Sequence, residues 1–283
     1  MVAFVKANVA ELIGNTPLLQ IDNVYAKLEF FNPGGSVKDR VAKYFLEGFQ
    51  GDKIILEATS GNTGIGLAML AAERGFKTLF VMPENVSVER RKWLKALGAE
   101  LILTPGELGT EGAIEVAQEL AKDSKYFMPD QFNNEASVRA HYETTGKELV
   151  EQLPKIDVFV AGIGTGGTIM GIGKRLREVN PKVKLIAVQP ARGEPIQGLR
   201  NMQEKFTPSI FDPGFVNEIV DVYSADAVRT AQLLAKEKGI FAGMSSGAAM
   251  YIALKEANKK ESNVVATLLP DGGAKYLSTE LFK

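Results

Sequence analysis

Four short segments hold residue types whose spacing could do chemistry. The first, Asn32-Pro33-Gly34-Gly35-Ser36-Val37-Lys38-Asp39-Arg40, reads as a turn entering a helix, with Ser36 as N-cap and Asp39 as its capping-box partner. Lys38 then falls in the first helical turn. The helix dipole disfavours a cation there by about 0.3 to 1 kcal/mol, whereas moving a lysine from a pKa of about 10.4 to near 7 takes about 4 to 5 kcal/mol. A nucleophilic Lys38 therefore needs burial or covalent capture as an imine; the alternative is a solvated lysine beside Asp39 and Arg40. The second segment, Thr59-Ser60-Gly61-Asn62-Thr63-Gly64, follows a strand pattern and opens a helix. Backbone N–H groups and hydroxyls converging on a helix N-terminus suit a carboxylate or a phosphate, or simply make a well-capped helix.

The third, Gly162-Ile163-Gly164-Thr165-Gly166-Gly167-Thr168, fits G-x-G-x-x-G between strand and helix. A dinucleotide needs an acidic residue at the end of the next strand for its ribose, and Val188 is followed by Gln189 and Pro190. A phosphate without a ribose is the better guest. Walker A also fails, since Gly173-Lys174 is followed by Arg175. The fourth, Gly243-Met244-Ser245-Ser246-Gly247, matches the G-x-S-x-G nucleophile elbow. In that fold the triad histidine follows the serine, and His141 is the one histidine in the chain. Ser245 reads better as a hydrogen-bonding residue at a strand-to-helix turn, and His141 as a satisfied structural imidazole.

Positioning these segments requires strands that alternate with helices. Lys53–Ala58, Lys77–Met82, Glu100–Leu103, Asp157–Ala161, Val183–Val188 and Asn263–Leu269 read as buried strands. Ala113, Ile114, Ala117, Leu120 and Ala121 share one helical face behind Thr110 as an expected N-cap, and Ser87 and Gly98 bracket another helix. Such alternation predicts an α/β fold of parallel sheets flanked by helices, with ligands at the carboxyl ends of the strands. Polar residues from Pro129 to Asn134 break the rhythm and mark the expected join between two lobes.

Composition narrows the chemistry. Thirty-three basic against 34 acidic residues give no positive excess to draw nucleic acid, and no apolar run is long enough to span a bilayer. With no Cys and one His, disulfides, thiolate nucleophiles and His/Cys metal sites are excluded. Glycine, 28 of 283 residues, stands at about 10% against a usual ~7% and clusters in the segments above. A cytoplasmic protein is expected.

Taken together and in register, these segments resemble the fold-type II pyridoxal-phosphate enzymes, and among them the cysteine synthases (O-acetylserine sulfhydrylases). The resemblance runs from Asn15-Thr16-Pro17-Leu18 and Lys27-Leu28-Glu29 to Tyr276-Leu277-Ser278-Thr279. It implies a tryptophan synthase β-like fold with a smaller mobile lobe over 35–133 and a larger one of 1–34 and 134–283. It makes Lys38 the Schiff-base lysine, Asn62 the partner of the cofactor's phenolic oxygen, Gly164, Thr165, Gly166, Gly167 and Thr168 the phosphate cup, and Ser245 the contact of the pyridine nitrogen. Thr59, Ser60, Gly61, Thr63 and Gln131 match the positions that hold the substrate carboxylate. The implied reaction is β-replacement on O-acetyl-L-serine or O-phospho-L-serine through an aminoacrylate, with sulfide or another sulfur donor, giving L-cysteine.

Asp130-Gln131-Phe132-Asn133-Asn134, His141-Tyr142 and Gly239-Ile240-Phe241 are similar to the B-type members, and Arg200 resembles an arginine of members that take O-phosphoserine or a bulkier sulfur donor. A guanidinium there could grip a phosphate or sulfonate bidentately, or be a loop arginine at the surface. A homodimer is implied by the resemblance. Serine or threonine dehydratase and serine racemase are alternatives that would use the same lysine, and a binding protein on the same fold is the non-enzymatic alternative.

Overall fold

The structure is a computed structural model and describes residues 5–59, 61–203, 207–259 and 263–282. Among the described residues the strands run, in chain order, β1 (Leu18–Ile21), β2 (Val24–Leu28), β3 (Ile54–Ala58), β4 (Thr78–Pro83), β5 (Glu100–Thr104), β6 (Tyr126–Phe127), β7 (Val158–Gly162), β8 (Lys184–Pro190), β9 (Glu218–Val222) and β10 (Val265–Leu269). The α-helices are α1 (Lys38–Phe45), α2 (Asn62–Arg74), α3 (Val88–Ala96), α4 (Gly109–Leu120), α5 (Ala136–Ala140), α6 (Lys147–Gln152), α7 (Gly167–Val179), α8 (Ser224–Lys238) and α9 (Met244–Lys259). They build two compact units, Met1–Gly14 with Asn32–Gln131, and Asn15–Phe31 with Phe132–Lys283.

The first unit is a four-stranded parallel sheet, ordered β5-β4-β3-β6. All six residues of β4 are buried, as a strand covered on both faces by crossover helices requires. Helix α1 lies close on α2 because Gly66 has no side chain: a Cβ there would meet Ala42 Cβ at 3.0 Å and the Lys38 carbonyl at 3.2 Å. Residues before Asn15 group with this unit and not with the larger lobe expected for 1–34. Their backbone is tied to it by Gly14 N–H donating to Asn32 Oδ1 (2.9 Å), Lys43 Nζ to the Ala10 carbonyl (3.1 Å) and Val9 N–H to Glu73 Oε1 (3.1 Å).

The second unit is a six-stranded sheet, ordered β1-β2-β10-β7-β8-β9, parallel except for the β1–β2 hairpin. Its apolar core joins Val24, Val160, Ile186, Val188 and Val265 of the strands to Ala248 and Ile252 of α9. The Asn15-Thr16 and Lys27-Leu28-Glu29 motifs form a buried polar knot beside it. Lys27 pairs with Glu148 at 2.7 Å and donates to the Thr16 carbonyl at 2.7 Å, while the Thr16 hydroxyl donates to Glu29 at 2.6 Å.

One sequence expectation for the helices is corrected, and some strands went unread. Thr110 does not cap α4: the helix starts at Gly109 after a short 3₁₀ turn, and Leu108 packs so closely on Gly112 that a Cβ there would lie 2.5 Å from Leu108 Cβ. The β1–β2 hairpin, β6 and β9 were not read from the sequence. Their strands are short or half-exposed, so no continuous apolar run announces them. Among the described residues no helix is long and apolar enough to cross a membrane.

Candidate active site

In the first unit, α1 opens at Lys38, whose side chain is half-buried. Ser36 is not the N-cap the sequence suggested: Val37 holds that position, and Ser36 Oγ, one residue earlier, accepts from the Lys38 backbone N–H at 3.3 Å. The Asp39 carboxylate accepts from Gly34 N–H at 2.5 Å. That bond needs a glycine, since a Cβ on residue 34 would sit 2.6 Å from Asp39 Oδ1. The lysine turn is therefore clasped by its own buried aspartate.

The turn from β3 into α2 shapes itself with side chains. Thr59 Oγ1, buried, accepts from Gly61 N–H at 3.1 Å and from Gly64 N–H at 3.3 Å, so two of the turn's donors are already satisfied. Gly61 sits at φ 138°, and a Cβ on it would meet Arg90 Cδ at 2.5 Å. Asn62, half-buried, is the first residue of α2, whose opening N–H groups have no acceptor within the helix. Ser60 lies outside the described residues.

Gln131 joins this turn. Its Nε2 donates to the Ala58 carbonyl at 2.5 Å, and its Oε1 accepts from the Thr63 hydroxyl at 2.6 Å. Beneath it lies Glu57, fully buried at the end of β3, which sequence reasoning missed. Its carboxyl oxygens accept from Ala58 N–H at 3.1 Å and Gln131 N–H at 3.3 Å. Burial pushes the Glu57 carboxyl up to about 8 and the Asp130 charge adds to the rise, against the pull of backbone N–H groups from Gln131, Ala58 and Asp130. A strand ending in an acid just ahead of a glycine-rich turn was the signal available in the sequence.

In the second unit the turn from β7 into α7 is shaped by the absence of side chains. A Cβ on Gly164 would lie 2.7 Å from the Gly198 carbonyl, one on Gly166 (φ 91°) 2.6 Å from Phe211 Cβ, and one on Gly167 2.1 Å from Ser137 Oγ. The bare backbone of 164–167 and the opening N–H groups of α7 make a cradle of the kind that suits an anion. Thr165 is buried, and Thr168 Oγ1 lies 3.3 Å from His141 Nε2. His141 is fully buried in a π-helical turn (His141–Gly146), its Nδ1 2.9 Å from Thr145 Oγ1. With a threonine at each ring nitrogen it is the satisfied imidazole the sequence suggested, and the nucleophile-elbow reading of Ser245 has no histidine to call on.

Ser245 lies in the first turn of α9, buried, and none of the described residues hydrogen-bonds its hydroxyl. The loop that reaches it also closes the cradle: Gly198, at φ 92°, places its Cβ direction 3.6 Å from Ser245 Oγ, and Arg200 N–H donates to the Ile163 carbonyl at 2.8 Å. Arg200 itself is not a surface arginine. It is buried, with its guanidinium 5.3 Å from the centre of the Phe132 ring. These residues fit pyridoxal phosphate in kind: a cradle for a phosphate, a hydroxyl for a pyridine nitrogen and, in the first unit, a half-buried lysine on a helix opening.

The family model for pyridoxal-phosphate dependent enzymes matches residues 9–271. A cysteine synthase of Staphylococcus aureus is 42% identical over 300 aligned positions, covering 97% of this chain and 96% of the relative. Among solved structures, a hydrogen sulfide-producing enzyme of Fusobacterium nucleatum superposes with a TM-score of 0.92 at 39% identity, covering 96% of this chain and 100% of that one. A cysteine synthase of Entamoeba histolytica gives 0.91 at 37%, covering 100% and 92%. The cradle, the lysine turn and these likenesses agree: the chain belongs to the pyridoxal-phosphate dependent enzymes, in company with the cysteine synthases.

Proposed function

We propose that this protein makes L-cysteine by replacing the β-substituent of O-acetyl-L-serine or O-phospho-L-serine with sulfide or another sulfur donor. Pyridoxal phosphate, when bound, supplies an electron sink for the substrate carbon that loses its proton. In this reading Lys38 would hold the cofactor, and its Nζ would take the substrate Cα proton and return it. The cradle of Gly164, Thr165, Gly166, Gly167 and Thr168 binds the phosphate, and Asn62 meets the phenolic oxygen. Ser245 donates a neutral hydroxyl to the pyridine nitrogen; unlike a carboxylate it does not keep that nitrogen protonated, which favours expelling a β-leaving group over storing charge. Thr59, Gly61, Thr63 and Gln131 hold the substrate carboxylate, a role the family resemblance also gives to Ser60.

Arg200, buried beside the cradle's closing loop, fits a charged leaving group or sulfur donor. A homodimer in the cytoplasm belongs to the same proposal and rests on the family alone. The observation that carries the reading is the glycine cradle at the opening of α7, where three missing Cβ atoms leave backbone N–H groups bare for a phosphate. Lys38→Ala should remove both the visible absorption of the bound cofactor and sulfide-dependent cysteine formation from acetylated or phosphorylated serine; normal turnover in that variant refutes it. The Fusobacterium neighbour produces hydrogen sulfide. Release of sulfide from L-cysteine is therefore the second activity to assay.

A further inference from the structure

We infer that Glu57 is a positioning residue for the amino-acid substrate: its buried carboxyl, gripping the backbone N–H groups of Ala58 and Gln131, fixes where the site presents the Gln131 amide. The inference rests on the reading that Gln131 contacts the substrate carboxylate. Its physical basis is a ring of hydrogen bonds with only one consistent polarity. The Ala58 carbonyl can only accept, so the Gln131 amide must turn its Nε2 toward it, as the 2.5 Å contact has it. Oε1 then faces Thr63, and the Thr63 hydroxyl must donate, at 2.6 Å. One N–H of the Gln131 amide is left over, and that is the donor available to a carboxylate. The Thr63 hydroxyl proton is spent on Gln131, so the side chain of Thr63 acts as a prop, and its backbone N–H at the opening of α2 is the group suited to the substrate.

Glu57 closes the ring from below. Its two oxygens hold Ala58 N–H at 3.1 Å and Gln131 N–H at 3.3 Å, the backbone of the two residues whose carbonyl and side chain meet above it. Asp130, directly before Gln131 in the segment after β6, sits at φ 57°, a left-handed conformation uncommon for a non-glycine residue that needs the surrounding structure to hold it. Its backbone N–H also points to Glu57, which supplies that hold. The one charged side chain that acts on Glu57 among the described residues is the Asp130 carboxylate, and burial together with that charge keeps Glu57 in its neutral form at neutral pH. A neutral acid retains acceptor capacity toward the N–H groups without a buried net charge. Without it, Gln131 keeps its side-chain partners but loses the backbone anchor that sets their register.

The experiment compares purified holoenzymes of the parent, Gln131→Ala, Glu57→Ala and Glu57→Gln, measuring KM for O-acetyl-L-serine, KM for sulfide and kcat. Glu57→Ala is expected to raise the amino-acid KM roughly tenfold, as Gln131→Ala does, because a displaced positioning group costs on this scale. The sulfide KM stays within about twofold, because the loss falls on the carboxylate contact alone. Glu57→Gln keeps the side chain's shape and one acceptor, and should recover most of the amino-acid KM; it also serves if the alanine variant does not fold. An unchanged KM in Gln131→Ala overturns the reading on which the inference depends. A raised KM in Gln131→Ala with an unchanged KM in both Glu57 variants overturns the inference and leaves that reading standing. Equal losses in the amino-acid and sulfide constants overturn it as well, since they mark general loosening of the unit.

Discussion

The two strand-to-helix turns of this molecule, β3 into α2 and β7 into α7, solve the same geometric problem in opposite ways. In the first, the turn satisfies itself: Thr59 accepts two of its N–H groups, Thr63 and Gln131 bond each other, and Glu57 underpins both. In the second, Gly198, Phe211 and Ser137 press against glycines at 164, 166 and 167, and the N–H groups are shielded by nothing of the turn's own. Side-chain hydrogen bonds of about 1 kcal/mol net can be exchanged for bonds to a ligand that comes and goes. A backbone hollow with no room for a Cβ has one shape, which suits a group that stays. The first arrangement suits the substrate role proposed for it, and the second the proposed role of cofactor anchor.

The difference can be broken most sharply at Gly164. A methyl group there meets the Gly198 carbonyl, a backbone atom that cannot swing aside, so Gly164→Ala incurs overpacking of about 1 to 3 kcal/mol. Cofactor affinity, followed by visible absorbance on titration with pyridoxal phosphate, should fall roughly tenfold to 100-fold. Thr59→Val, by contrast, removes a cap worth about 0.5 to 2 kcal/mol from the first turn and should raise the amino-acid KM several-fold while weakening cofactor affinity far less than Gly164→Ala does. If both variants lost cofactor equally, the division of labour between the turns would be wrong.

A smaller effect sharpens the account of the first turn through pH. Glu57 titrates near 8 in the fold against an ordinary value of 4.5, so between those values the folded chain holds a proton that the unfolded chain has released. Stability from this group is complete below the lower value and is lost as pH rises through the upper one. From about pH 5 to about pH 9, the unfolding free energy of the parent should therefore fall relative to that of Glu57→Gln, whose amide does not titrate. Parallel denaturation profiles for the two proteins would show that Glu57 ionises normally.

Much of this was legible in the chain, and the exceptions have a common cause. The strands that become β3, β4, β7, β8 and β10 announce themselves because a parallel strand covered on both faces must be continuously apolar, whereas β5, read as buried, is an edge strand with Glu100 and Leu103 exposed. The β1–β2 hairpin turns on Asp22-Asn23, with Asp22 at φ 51°, but β1 is half-exposed and its apolar alternation is weak. The glycines of the cradle and the lysine turn were legible as motifs. What each glycine makes room for was not, because Gly198, Phe211 and Asp39 are brought there by tertiary packing or by a loop's return. The same holds for polarity: Thr59, Thr63 and Gln131 read as ligand-binding hydroxyls and amide, but which proton each has already spent depends on Ala58 and Glu57. For Arg200 the sequence left a ligand-gripping and a surface reading open, and folding buries the side chain, which removes the second.

Arg200 also carries the finest test of the contrast, because it belongs to the unit with the rigid anchor yet is suited to a group that leaves. Its backbone is pinned to Ile163, next to Gly164, so the cradle fixes where the side chain starts, while the guanidinium rests against the Phe132 ring. A phosphate leaving group is doubly charged and bidentate toward a guanidinium fork; an acetyl ester is neutral and offers a single weak acceptor. Arg200→Ala should therefore lower kcat/KM for O-phospho-L-serine roughly tenfold more than for O-acetyl-L-serine, a difference of about 1.4 kcal/mol in transition-state binding. Arg200→Lys keeps the charge and loses the fork, and should fall between the two. Equal losses on both substrates would mean that Arg200 serves only to hold the 198–200 loop against the cradle, and the second unit would then act as anchor alone.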